Sequence, residues 1–185
     1  MSSLQKSLVN FANDYIAFCQ QQHGGLPRVE HDPNWPSECE IGDVDGDNMS
    51  AWKPVQISDN LSFDNVESAL GISLHPDIKQ FFTAIYSEAI PCDCDEGALE
   101  LLFAWSREDF DRLQQNLIGH VLMKRRLNQA DTVFFAVTDA EEINLVIKND
   151  SGEVWAEPVG LEPNKFVAES LEAFLAQLRY RAEPL

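Results

Sequence analysis

TVFFAVTDAEEINLVIKNDSGEVWAEPV, Thr132 to Val159, carries three strand signals in succession. Thr132 to Val137 is a short, nearly continuous apolar run, the pattern of a strand buried on both faces. Ile143 to Lys148 and Glu153 to Val159 form two further strands. Between them, Asn149-Asp150-Ser151-Gly152 is a hairpin turn signal, so these two pair antiparallel. Three consecutive strands need a sheet, and a sheet needs an apolar cover.

The flanking sequence supplies that cover. Upstream, Leu99 to Trp105 predicts a buried strand, and Ser106 caps a helix with Asp109 three residues on, the acidic counterpart of a capping box. Phe110, Leu113, Leu117, Val121 and Met123 carry that helix to about Leu127. Downstream, Ser170, Leu171, Phe174, Leu175 and Leu178 mark an amphipathic helix. Further back, Ser62 caps a short helix holding Phe63, Val66, Ala69 and Leu70, with Gly71 as its stop. Pro76 then opens a helix with the stripe Ile78, Phe81, Phe82 and Ile85, ending near Ser87. At the start, Leu4, Leu8, Phe11, Tyr15 and Phe18 recur at helical spacing, so Ser3 to Gln22 is a helix stopped by Gly24 and Gly25. From Pro27 to Pro54 the pattern breaks, leaving room for short strands around Cys39 to Ile41 and Ala51 to Trp52. The chain therefore reads as one α/β (α+β) domain over residues 1–185, with a central mixed or antiparallel sheet flanked by helices.

Composition narrows the function. Thirteen Lys and Arg stand against 31 Asp and Glu, a formal net charge of -18. Nucleic-acid binding is disfavoured, because phosphate contacts need clustered cations. The single cluster, Lys124-Arg125-Arg126, suits the C-terminal end of a helix instead. No run of about 18 apolar residues is present to span a bilayer, and Met1 to Asn10 does not read as a signal peptide. A cytosolic protein with reduced cysteines is expected.

Recognisable catalytic motifs are missing. Cys19, Cys39, Cys92 and Cys94 form no CxxC pair, and His23, His31, His75 and His120 share no site spacing. His75 is placed to help cap the helix at Pro76, and His120 to make a structural hydrogen bond. Acidic neighbours make Cys92 a poor nucleophile. Asp43-Val44-Asp45-Gly46-Asp47-Asn48 resembles the start of a calcium loop, but Asn48 and Pro54 stand where glycine and the closing glutamate belong. It reads as an acidic turn. Neither a metal nor a cofactor is expected, and an enzyme would have to rely on unmarked carboxylates.

Charge clustering is more telling. Glu30, Asp32, Glu38, Glu40, Asp43, Asp45 and Asp47 fall in one stretch without a Lys or Arg, and Glu88, Asp93, Asp95, Glu96 and Glu100 in a second. Trp35, Trp52 and Trp105 lie in or beside them, where an indole can cover a cationic side chain. The candidate partner-binding residues are Glu38, Glu40, Asp43, Asp45, Asp93, Asp95, Glu96, Glu100 and Trp52.

Trp105-Ser106-Arg107-Glu108-Asp109-Phe110, with Gln115-Asn116-Leu117-Ile118-Gly119-His120, resembles the central segment of the Syd family. Lys124 to Leu127, Thr132 to Val137, Ser151 to Val154, Leu171 to Leu175, Pro36 to Cys39 and Trp52 to Pro54 are similar to it as well. The run from Phe63 through Gly71 to Pro76 and Phe81 is similar to the helix pair of the SUKH superfamily. The Asp43 to Asp47 run departs most from the family pattern. The resemblance implies a SUKH-like fold, a non-enzymatic interaction with SecY at the cytoplasmic face of the inner membrane, and a concave electronegative face. It brings no catalytic residues. Cytoplasmic loops of inner-membrane proteins are rich in Lys and Arg, so the expected partner surface is cationic, with a monomeric chain attached to the membrane only through SecY. A rival reading is a SUKH-type immunity protein that blocks a basic nuclease toxin.

Overall fold

Ser2 starts the first helix, α1 (Ser3–His23), by a reciprocal pair: its Oγ accepts the Gln5 N–H, and Gln5 Oε1 accepts the Ser2 N–H. Gly24, at φ 70°, ends it in the left-handed conformation. The computed structural model describes all 185 residues.

The irregular stretch that follows is a small antiparallel sheet of β1 (Arg28–Glu30), β2 (Glu40–Ile41) and β3 (Met49–Trp52), in the order β1-β3-β2. Two of these match the expected short strands. The third, β1, is only three residues long and carries no periodicity. Next, β4 (Val55–Gln56) pairs with β5 (Ile85–Tyr86), and between them lie α2 (Asp64–Leu70) and α3 (Pro76–Phe82). Two expectations are corrected here. Phe63, not Ser62, occupies the cap position of α2, although Ser62 Oγ accepts the Asp64 N–H from one residue further out. And α3 stops at Phe82 instead of running to Ser87. Thr83 Oγ1 donates to Lys79 O, and Ala84, Ile85 and Tyr86 are all buried, so period alone could not separate helix from strand there. His75 does cap α3, its Nδ1 accepting the Asp77 N–H.

The rest builds the main sheet: β6 (Ile90–Cys94), β7 (Gly97–Leu101), α4 (Arg107–Arg126), β8 (Thr132–Thr138), β9 (Ile143–Lys148), β10 (Val154–Pro158), β11 (Lys165–Ala168), α5 (Leu171–Leu175) and β12 (Arg179–Tyr180). Its order is β11-β10-β9-β8-β7-β6-β12, with every neighbouring pair antiparallel. The strand expected at Leu99 to Trp105 begins earlier and ends at Leu101. Its partner β6 was hidden inside the second acidic stretch. The last helix is shorter than its apolar spacing suggests, because the chain turns after Leu175 to lay β12 on the sheet edge.

Strand alternation sorts the two faces. Ile90, Cys92, Leu99 and Leu101 face the main core, where Phe135 meets Phe81 and Phe174 with centroids 5.5 and 5.6 Å apart. Pro91, Asp93, Ala98 and Glu100 share the other face. The β9–β10 turn is also tied down. Asn149 Oδ1 accepts the His75 N–H, and a Cβ on Gly152 (φ 77°) would strike the His75 ring, so this turn requires glycine.

Candidate functional site

Beside the face that carries Pro91 and Glu100, two adjoining clefts of about 650 and 300 Å³ share Glu88 and Ala89. The larger runs between Tyr15, Cys19 and His23 of α1, the Gly25–Arg28 segment, Ala51 and Trp52 of β3, and Ala182–Pro184. The smaller lies between Val29, Glu30, Asp32 and Trp35 on one side and Asp109 and Arg112 of α4 on the other, over Phe103 and Trp105. Glu30, Asp32, Glu88, Asp109 and Glu183 line the pair. The two lining arginines are already engaged, Arg28 with Asp45 and Arg112 with Asp109.

Glu88, where the clefts meet, has no cationic partner. It accepts the N–H of Ala89 at 3.3 Å, and burial pushes its carboxyl above the usual range, with Asp109 and Glu100 adding repulsion. Sequence reading grouped it with the second acidic stretch but did not single it out. Its position follows from the loop after β5, where the Ser87 N–H donates to Ala104 O at 3.0 Å.

The structure separates the sequence-chosen carboxylates. Glu38 and Asp43 are exposed and carry no ion pair. Glu40 meets His31 Nδ1 at 2.7 Å. Asp45 closes the acidic turn: its Oδ1 accepts the N–H groups of Asp47 and Met49, and its Oδ2 meets Arg28. Those bonds, the Met49 N–H foremost, hold its carboxyl below the ordinary range. In the second stretch, Asp93 pairs with Arg181 at 2.9 Å, Asp95 with Arg179 at 3.2 Å, and Glu96 with Lys165. Glu100 accepts the Leu185 N–H at 2.9 Å. A stretch without local cations thus receives them from β11 and the chain after α5.

The tryptophans divide differently than expected. Trp52 is only 2% exposed, packed edge-on to Trp105 and beside Tyr15, both with centroids at 6.2 Å. It contributes to the cleft floor and offers no open ring face. Trp35, 36% exposed, does, and the Arg112 guanidinium sits 4.9 Å from its ring centroid. The cation–π contact foreseen for a partner is made here by the chain's own arginine.

No nucleophile emerges. All four cysteines are free and buried. Burial pushes the Cys92 thiol up to about 12, with Asp93 adding to it, and Cys39 up to about 11. No helix is long and apolar enough to cross a membrane.

A family model described as Syd protein (SUKH-2) matches residues 5–180. Among curated relatives, Protein Syd of Colwellia psychrerythraea is 49% identical over 187 residues, covering 97% of this chain and 94% of the relative. Protein Syd of Alteromonas mediterranea is 42% identical over 176 residues, covering 95% and 96%. Protein Syd of Pseudoalteromonas atlantica is 38% identical over 179 residues, covering 96% of each.

Proposed function

We propose that this chain, which belongs to the Syd (SUKH-2) family, is a non-enzymatic monomeric protein that binds basic cytosolic loops of SecY at the cytoplasmic side of the inner membrane. The observation that carries the reading is the pair of joined clefts, lined by five carboxylates of which only Asp109 is paired by a lining arginine, Arg112, while Arg28 is taken up by Asp45 outside the lining. Such a hollow favours a cationic segment. Its field accelerates encounter more than it deepens affinity.

Within the proposed site Glu88 lies at the centre, with Glu30, Asp32 and Glu100 around it. Glu38 and Asp43 carry no ion pair and extend the negative field outward. Asp45, Asp93, Asp95 and Glu96 contribute by exchanging their own cation for a partner's, Glu40 by exchanging the His31 ring for one, and Trp52 contributes to the floor. A net charge of -18 repels anionic headgroups. Attachment to the membrane therefore passes through SecY and not through lipid.

The test is co-sedimentation with SecY-containing membranes across a salt series, with charge reversal in each acidic stretch separately. Binding should fall steeply between low salt and about 0.5 M, and Glu88→Lys should abolish it. Binding indifferent to salt and to both reversals would sink the reading.

A further inference from the structure

Residues 181–185 lie across the larger cleft. Ala182, Glu183 and Pro184 line it, the Arg181 N–H donates to Pro91 O at 3.0 Å, and the Leu185 N–H reaches Glu100. The Arg181 guanidinium rests on Asp93, on the same sheet face as Glu100.

The anchoring changes abruptly at Tyr180. Its ring packs against Phe11, Tyr15 and Phe18, with centroids at 4.8, 5.9 and 5.7 Å, and its hydroxyl donates to Phe11 O at 2.8 Å. Past that point the segment carries no aromatic ring, and Ala182 to Leu185 are exposed. A half-exposed ion pair and two backbone N–H bonds hold it down. Such contacts add little stability, and segments held this way open without global unfolding.

We infer that residues 181–185 are a displaceable strap, in which Arg181 occupies Asp93 as a stand-in for a partner's lysine or arginine and the segment competes with a cationic partner for the cleft. Opening between Tyr180 and Arg181 frees Asp93 and Glu100 and withdraws Glu183. The strap sets the fraction of molecules open to binding, so loosening it raises apparent affinity by the inverse of that fraction. This inference rests on the acidic-cleft reading above.

Full-length chains carrying Arg181→Gln or Arg126→Gln test it, with a fluorescent Arg-Gly repeat peptide as probe. Each variant removes one positive charge. Arg126 is an exposed, unpaired cation at the end of α4, about 20 Å along the helix from Arg112. R181Q should tighten binding about fivefold and R126Q by less than about twofold. In the unmodified protein, amide exchange at Arg181 should be far faster than at Leu99 and Leu101. Equal effects of the two variants, or Arg181 exchange as slow as the β7 amides, would overturn the strap alone. A probe that binds none of the three chains would overturn the acidic cleft together with it.

Discussion

Lys124 Nζ lies 2.9 Å from Glu157 Oε2, between α4 and the sheet, with the two side chains 0% and 3% exposed. The ammonium also donates to Leu161 O at 3.0 Å, while Thr132 Oγ1 donates to the same carboxylate oxygen at 2.8 Å. A cation that closes α4, as its sequence position suggests, is thus also a buried clamp, joining α4 to β10 and to the loop beyond it.

Removing one member leaves the other charged and unsolvated. Lys124→Met should destabilise the fold by about 3 to 5 kcal/mol, and Glu157→Gln should be costly as well. The double replacement Lys124→Met with Glu157→Leu should recover a large part of the loss. Urea unfolding followed by tryptophan fluorescence measures all three, and additive losses would contradict the clamp.

His120 gives the fold a pH dependence. Its Nε2 is 3.1 Å from Thr132 Oγ1, and because that hydroxyl donates to Glu157, the ring nitrogen is assigned as the donor. Burial, with Lys124 adding repulsion, lowers its pKa from 6.5 to about 4. The unfolded chain therefore binds this proton more readily than the folded one. Stability from this residue is full above about pH 6.5 and is lost as pH falls toward 4, by roughly 3 kcal/mol in all. His120→Gln should flatten the stability curve across that window, as read by denaturant midpoints at successive pH values.

Trp52 and Trp35 should respond unequally to truncation. Trp52→Ala empties a core position and should cost about 3 to 5 kcal/mol. Trp35→Ala, at a half-open ring stacked by Arg112, should cost less than about 1 kcal/mol. Thermal melts separate the two. Loss of binding in Trp52→Ala alone would therefore report unfolding and not recognition.

Glu88 should trade stability for binding. Its raised pKa means that the charged form is penalised in the fold, a penalty present at neutral pH and relieved as pH falls through the folded value. Glu88→Gln keeps an acceptor for the Ala89 N–H and removes the charge. Its melting temperature should rise while binding to SecY-containing membranes weakens. A fall in both would mark Glu88 as structural.

Much of the architecture was legible because periodicity and caps are local. Thr132 to Val159, the helix opened by Ser106, and the stops at Gly24 and Gly71 all appear as read. The misreadings fall where local pattern is ambiguous or very short. Ala84 to Tyr86 is buried on every side, β1 and β12 span three and two residues, and Asp93 broke the apolar run of β6.

Fold class, family and the excess of carboxylate follow from residue order alone, since these depend on which residues occur and on their spacing along one chain. Which carboxylates stay free depends on how the chain folds back on itself. Arg179 and Arg181 neutralise Asp95 and Asp93 from more than 80 positions away, Trp52 is withdrawn into the core, and Glu88 is set alone between two clefts. The reason is physical: charge pairing and burial act over a few ångströms of space, and distance along the chain does not report that separation.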